Sequence, residues 1–178
     1  LTLSLANPDP GALRLLERLS PANAPHPLGH ALRVGELLST ESIGERFYRA
    51  FRDNLECMAA SLGRRGTPGD RRTAALLPLT RVLFLYFVQA KGWLDGRPDY
   101  LRSLFDASLA RRRHFHRSAL HPLFFGTLNR KPAERRVTIR LGRIPYLNGG
   151  LFEPHPIERR LGPVLFPNPL WREAFDGL

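Results

Sequence analysis

The sequence predicts a mainly α protein, an irregular helical domain with a small β element near its C-terminal third. Three patterns carry that reading. Apolar residues recur every three or four positions from Ile43 to Leu62, and a dense apolar run extends from Leu76 to Val88. Later in the chain Val137, Ile139 and Leu141 alternate with Thr138 and Arg140. The first two patterns suit helices, and the third has the period of a short strand.

Taken in order, residues 1–40 are punctuated by Pro8, Pro10, Pro21, Pro25 and Pro27 and hold one short amphipathic piece, Leu13 to Leu19. They read as a leader or linker ahead of a helical region over residues 41–178. The first helix starts at Ser42-Ile-Gly-Glu45, a spacing that lets the Ser hydroxyl and the Glu carboxylate each satisfy a free backbone N–H. Ile43, Phe47, Phe51, Leu55, Met58 and Leu62 form its apolar stripe, and Gly63 is placed to end it. Cys57, next to Met58, reads as a small half-buried residue rather than a nucleophile. A loop from Gly63 to Asp70 leads to the segment richest in apolar residues, which predicts a central helix buried on most sides and stopping at Gly92. Pro78 marks either its first turn or a kink. The β-rich composition from Val82 to Val88 keeps a strand open as an alternative. Pro98 and Asp99 open a third helix with Tyr100, Leu101, Leu104, Phe105 and Leu109. A fourth, short helix runs from Leu120 to Leu128 with Leu123, Phe124 and Leu128 as its buried face. After the alternating stretch the tail is rich in Pro and Gly, and a last helical turn holds Leu170, Trp171 and Phe175.

With 178 residues the chain suits one domain. It carries 27 basic against 16 acidic side chains, a net charge of +11, and Lys91 and Lys131 are the only lysines. The whole surplus lies in residues 61–143, where eighteen basic side chains face five acidic ones, between two nearly neutral ends. Such an excess points to a polyanionic partner, most simply nucleic acid. Its clusters nominate Arg64, Arg65, Arg71, Arg72, Arg111, Arg112, Arg113 and Arg117 as phosphate contacts, with Arg130-Lys131 and Arg135-Arg136 nearby. These side chains would position a backbone, and none is identified as a base reader.

Other classes are disfavoured. One cysteine excludes an internal disulfide framework and a multi-Cys zinc site, and suits the cytoplasm. No uninterrupted apolar run reaches the roughly 18–20 residues of a membrane span, so no membrane partner is expected. His114, His116 and His121 lie among arginines without carboxylates or thiolates, which suits surface or phosphate contacts better than a metal. Phosphate-cradling and nucleophile-elbow glycine motifs are absent. Asn168-Pro169-Leu170-Trp171 is superficially like a base-holding Asn-Pro-Pro-Tyr motif, but Leu replaces the second Pro and no Gly-rich cofactor strand precedes it. Gln89-Ala-Lys91 is like the end of a nuclease motif, yet it closes an apolar helix. No catalytic residue, metal or cofactor site is expected within this chain.

Four blocks stand in order: Phe47-Tyr-Arg-Ala-Phe51, Leu79-Thr-Arg-Val-Leu-Phe-Leu-Tyr-Phe-Val-Gln-Ala-Lys-Gly-Trp-Leu94, Tyr100-Leu-Arg, and Ile144-Pro-Tyr-Leu-Asn-Gly-Gly-Leu-Phe-Glu153. Over residues 42–175 they resemble the region upstream of the catalytic domain in large adenine-specific DNA methyltransferases. Those include fused type IIG restriction–modification enzymes and the methyltransferases of phage-defence systems such as BREX and DISARM. The resemblance implies a non-catalytic helical connector whose partners are DNA and a methyltransferase domain in cis, following Leu178. S-adenosylmethionine would belong to that parent, which would methylate the N6 amino group of adenine. Tyr146, Asn148, Gly149, Gly150 and Phe152 match the last block, with an implied structural role. Asn-Gly-Gly supplies positive-φ positions for a tight turn, and Tyr146, Leu151 and Phe152 serve as anchors, expected to pack against the absent domain. Leu1 in place of Met fits a piece of a longer protein. A free-standing basic module that binds nucleic acid or another protein is the alternative.

Overall fold

The computed structural model describes residues 42–136, 141–147 and 150–177. The chain divides into two units, Leu1–Phe51 and Arg52–Leu178. In the first unit the described residues are the opening turns of α1 (Ser42–Ser61), where the Phe47 and Phe51 rings stack 6.1 Å apart. The Pro-rich leader and the Ser42–Glu45 capping box lie outside the described residues, since nothing is described of the Ser42 side chain.

In the second unit α1 buries Met58, Leu62 is buried in the turn just past its end, and Gly63 follows at φ +60°, as the spacing predicts. Cys57 is exposed rather than half-buried. One helical residue is about 100° of rotation, so the neighbour of a fully buried Met58 is turned away from the stripe.

The second helix, α2 (Pro68–Ala90), begins well before the apolar run, inside the expected loop. Thr67 starts it: its hydroxyl accepts the Asp70 N–H at 3.1 Å, and the Asp70 carboxylate accepts the Thr67 N–H at 3.0 Å. Pro68 suits the first turn, where its missing N–H has no partner to lose, whereas Pro78 lies mid-helix and buried. The strand alternative for Val82–Val88 is excluded. Burial is one-sided and not general. Leu79, Val82, Leu85 and Val88 are fully buried against a side that meets α3 and α5, while Leu76, Phe84 and Phe87 remain exposed. At 23 residues, with an apolar window of 18, α2 has the length and composition of a membrane span. Half of that window nevertheless packs inside the protein, and Arg81 within it makes a buried ion pair.

The third helix, α3 (Tyr100–Ala110), has no side-chain cap from Asp99. Gln89 fills that role, its Oε1 accepting the Leu101 N–H at 2.8 Å. The fourth, α4, is two π-helical segments, His116–Leu120 and Pro122–Leu128, joined at His121. Pro122 has no N–H and its ring would collide with the carbonyl four residues back, so the wider i→i+5 turn relieves the clash. The inward residues Leu123, Phe124 and Leu128 are as expected. Two 3₁₀ turns, Pro132–Glu134 and Gly150–Phe152, precede α5 (Pro156–Leu161) and α6 (Asn168–Gly177).

Phe105, Phe115, Trp171 and Phe175 form one aromatic cluster, with Phe105 and Phe115 edge to face at 5.0 Å. Among the described residues the architecture is helical and no strand occurs. Residues 137–140 of the expected β element lie outside the described residues, and Leu141 is buried in irregular backbone.

Candidate nucleic-acid interface

Two of the arginine clusters occupy helix ends. The first surrounds the start of α2. Gly66 holds φ +62°, and a Cβ there would come within 2.8 Å of Leu161 on α5, so the turn and α5 approach closely. The Arg65 Nη1 donates to the Pro163 carbonyl at 3.1 Å, and the Arg71 Nη1 donates to the Gly66 carbonyl at 3.0 Å. Carbonyl acceptors leave both cationic charges uncompensated. Arg72 differs, because Glu56 pairs with it at 3.0 Å. Arg160 pairs with Asp70, whose carboxyl is held below its usual range first by the Thr67 backbone N–H and then by other contacts that include Arg160. Arg64 has no ion pair among the described residues.

The second cluster follows α3. Arg111, Arg112 and Arg113 are exposed just past the helix C-terminus, where cations complement the helix dipole. Arg112 adopts φ +50°, which turns the chain sharply there. Arg117 is exposed on α4. No carboxylate pairs with any of these four among the described residues. The backbone beneath them is pinned by Asn168 at the start of α6: its Oδ1 accepts the Phe115 N–H at 2.8 Å and its Nδ2 donates to the Arg113 carbonyl at 2.9 Å. Both ends of the Asn168 amide are thus used structurally, and Trp171 is fully buried. The Asn-Pro-Leu-Trp stretch holds an Arg loop in place, with its amide hydrogen-bonded and its indole buried inside the protein.

The block from Ile144 to Glu153 is gripped from inside the protein. Arg81, 1% exposed on α2, donates from Nε to the Leu151 carbonyl at 2.7 Å and from Nη2 to the Glu153 carbonyl at 2.9 Å. It also pairs with the Glu158 carboxylate through Nη1 at 2.6 Å and Nη2 at 2.9 Å, a two-pronged match. The guanidinium lies 5.0 Å from the Phe125 ring centroid and 5.6 Å from that of Phe124. Phe152 is buried beside Phe84 and Phe124, so it anchors this chain to itself and is no free anchor for another domain. Tyr146 is half-buried, Gly150 opens the 3₁₀ turn, and Asn148 and Gly149 lie outside the described residues.

The histidines divide by burial. His116, expected at the surface, is buried, stacks on Phe166 at 5.6 Å, and accepts the Phe166 N–H through Nδ1 at 3.1 Å. Burial pushes its pKa down to about 3, with the nearby His114, His121 and Arg81 adding to the effect. His121 lies at the surface against Phe125, and its pKa is lowered chiefly by partial burial. His114 accepts a long 3.4 Å bond from the Arg117 N–H. No group of His, Cys, Asp or Glu suited to a metal occurs among the described residues.

Sequence reasoning missed the Arg81–Glu158 clamp, because nothing local marks a partner 77 residues away. It also passed over Trp93, which stands 57% exposed beside Arg135 and Arg143.

No protein-family model matches the chain, and no solved structure matches it. Over 115 residues, 61% of the chain, it is 30% identical to a protein of Methanocaldococcus jannaschii named as a type II restriction enzyme and methyltransferase. The matched stretch is 10% of that protein, so the chain spans about a tenth of the length of the curated relative it matches. The similarity links the chain to restriction–modification in coarse terms.

Proposed function

We propose that this chain is a non-catalytic, DNA-contacting connector of a restriction–modification protein. Its arginines hold duplex phosphates while another domain in cis transfers methyl from S-adenosylmethionine to the N6 amino group of adenine, in the cytoplasm and in defence against phage. One observation carries the DNA contact: four arginines, Arg111 to Arg113 and Arg117, stand exposed around a pinned loop with no carboxylate partner among the described residues. Guanidinium groups in that state release counterions when they meet phosphate, which gives affinity without sequence preference. The similarity to a restriction enzyme and methyltransferase supports the wider setting.

Fluorescence anisotropy on a labelled duplex, from 50 to 200 mM salt, tests the reading. Affinity falls steeply with salt for the natural chain. Substituting Arg111, Arg112 and Arg113 by Ala lowers the slope of log K against log salt by up to about 2.7, roughly 0.9 for each phosphate no longer neutralised. An unchanged affinity and slope in that variant shows that the surface is wrongly chosen.

A further inference from the structure

The turn after α2 presents an indole to solvent and is built to keep it there. Gly92 at φ +74°, Asp95 at +56° and Gly96 at +70° reverse the chain within five residues. Asp95 then stitches the turn to residues 141–145. Its N–H donates to the Arg143 carbonyl at 3.0 Å, and its carboxylate accepts the Arg143 N–H at 2.9 Å. Gly142 is required for that stitch, since a Cβ there would sit 2.4 Å from the Asp95 carboxylate. The Tyr100 hydroxyl adds a bond to the Leu141 carbonyl at 2.7 Å.

Beside Trp93 opens a shallow depression of about 560 Å³, walled by Arg135, Arg143, Ile144 and Pro145. Arg135 is fixed in that wall by bonds from Nε to the Arg130 carbonyl at 3.1 Å and from Nη1 to the Ile144 carbonyl at 2.9 Å. Its Nη2 is buried and has no acceptor among the described residues, so this guanidinium is a fixed wall and Arg143 is the accessible cation. The Arg143 side chain is 94% exposed and meets Asp95 only at 4.0 Å. The Asp95 carboxylate oxygen that faces Arg143 already accepts a backbone N–H.

We propose that this depression holds one unstacked nucleotide of a DNA strand, with its base on the Trp93 indole and its phosphate on the exposed Arg143 guanidinium. The inference rests on the DNA-contacting reading above but uses none of the same residues. An indole face stacks any base, and an unstacked base of a single strand exposes the face that a duplex hides. The phosphate gives the exposed Arg143 guanidinium a closer anion than Asp95 at 4.0 Å. An acidic peptide would satisfy the charge but gives no planar partner to the exposed ring.

Trp93 reports on its own occupancy, because the other tryptophan, Trp171, is fully buried. A ten-nucleotide single strand titrated into the full chain quenches tryptophan emission. By anisotropy, Trp93→Ala weakens single-strand binding about tenfold and leaves duplex affinity unchanged, while Trp93→Phe keeps most of it. Arg143→Ala lowers the single-strand salt slope by about 0.7. Three results overturn the inference: no quenching by the strand, quenching by an acidic peptide but not by DNA, or a mononucleotide binding as tightly as the ten-mer. Duplex binding that still depends on Arg111 to Arg113 in those cases leaves the connector reading standing. Conversely, quenching by the strand without that dependence overturns the choice of duplex surface alone.

Discussion

Arg81 sits 1% exposed in the middle of α2, where an unpaired guanidinium would cost several kcal/mol. Glu158 and the carbonyls of Leu151 and Glu153 satisfy it, so one side chain ties α2, the 3₁₀ turn and α5 together. Removing one partner leaves the other charge without compensation. Arg81→Ala is expected to lower stability by about 3–5 kcal/mol in urea unfolding, and a loss below about 1 kcal/mol would refute the clamp. His116 gives a pH-dependent counterpart. Its folded pKa, about 3, lies below the unfolded value of 6.5. Above pH 6.5 the imidazole is neutral in both states and carries no penalty. As pH falls from 6.5 toward 3 the unfolded chain takes up a proton that the folded one refuses, and stability is lost at up to about 1.4 kcal/mol per unit. His116→Asn, whose amide oxygen can accept the Phe166 N–H in place of Nδ1, should flatten that part of the stability–pH curve relative to the natural chain. An identical slope in both proteins would show that other groups carry it.

At the scale of elements, legibility followed periodicity. Met58 and Leu62 around the end of α1 and Tyr100, Leu101 and Phe105 on α3 repeat at helical spacing and are buried, with Leu104 and Leu109 half-buried. The start of α2 was hidden because Pro68-Gly-Asp-Arg-Arg looks like loop chemistry, and Thr67 pairs with an Asp where Glu or Gln is usual in a capping box. The short α5 was hidden for a related reason: its cap is His155, whose Nδ1 accepts the Ile157 N–H at 3.2 Å, within a Pro-rich stretch. Thr67→Ala removes one half of the α2 box. It should destabilise the protein by about 0.5–2 kcal/mol, read as a lowered Tm. No change in Tm would mean that Asp70 and Pro68 suffice to start the helix.

Over the whole molecule the basic surplus separates into cations that are engaged and cations that are free. Arg72, Arg81, Arg102 and Arg160 each pair with a carboxylate, whereas Arg64, Arg65 and Arg71 at one helix end and Arg111 to Arg113 at another do not, among the described residues. If both free sets meet one duplex, substituting Arg64, Arg65 and Arg71 together with Arg111, Arg112 and Arg113 by Ala lowers the salt slope by the sum of the two separate decreases. Decreases that fail to add, measured in the same salt titrations, would assign the two sets to different partners.

The sequence by itself determined the helical class, the main inward residues and the place of the charge. Periodicity and net charge are properties of local order and of simple summation, and neither depends on which distant segments meet. Tertiary structure decided the rest. It took Arg81 out of the basic surface by bringing Glu158 to it, and it moved His116 from an expected phosphate contact to a buried acceptor behind Phe166. It turned Phe152 inward, and it set an exposed Trp93 beside two arginines from a segment some forty to fifty residues further along the chain. Burial and pairing arise from long-range contacts, so the same residue types came to opposite uses.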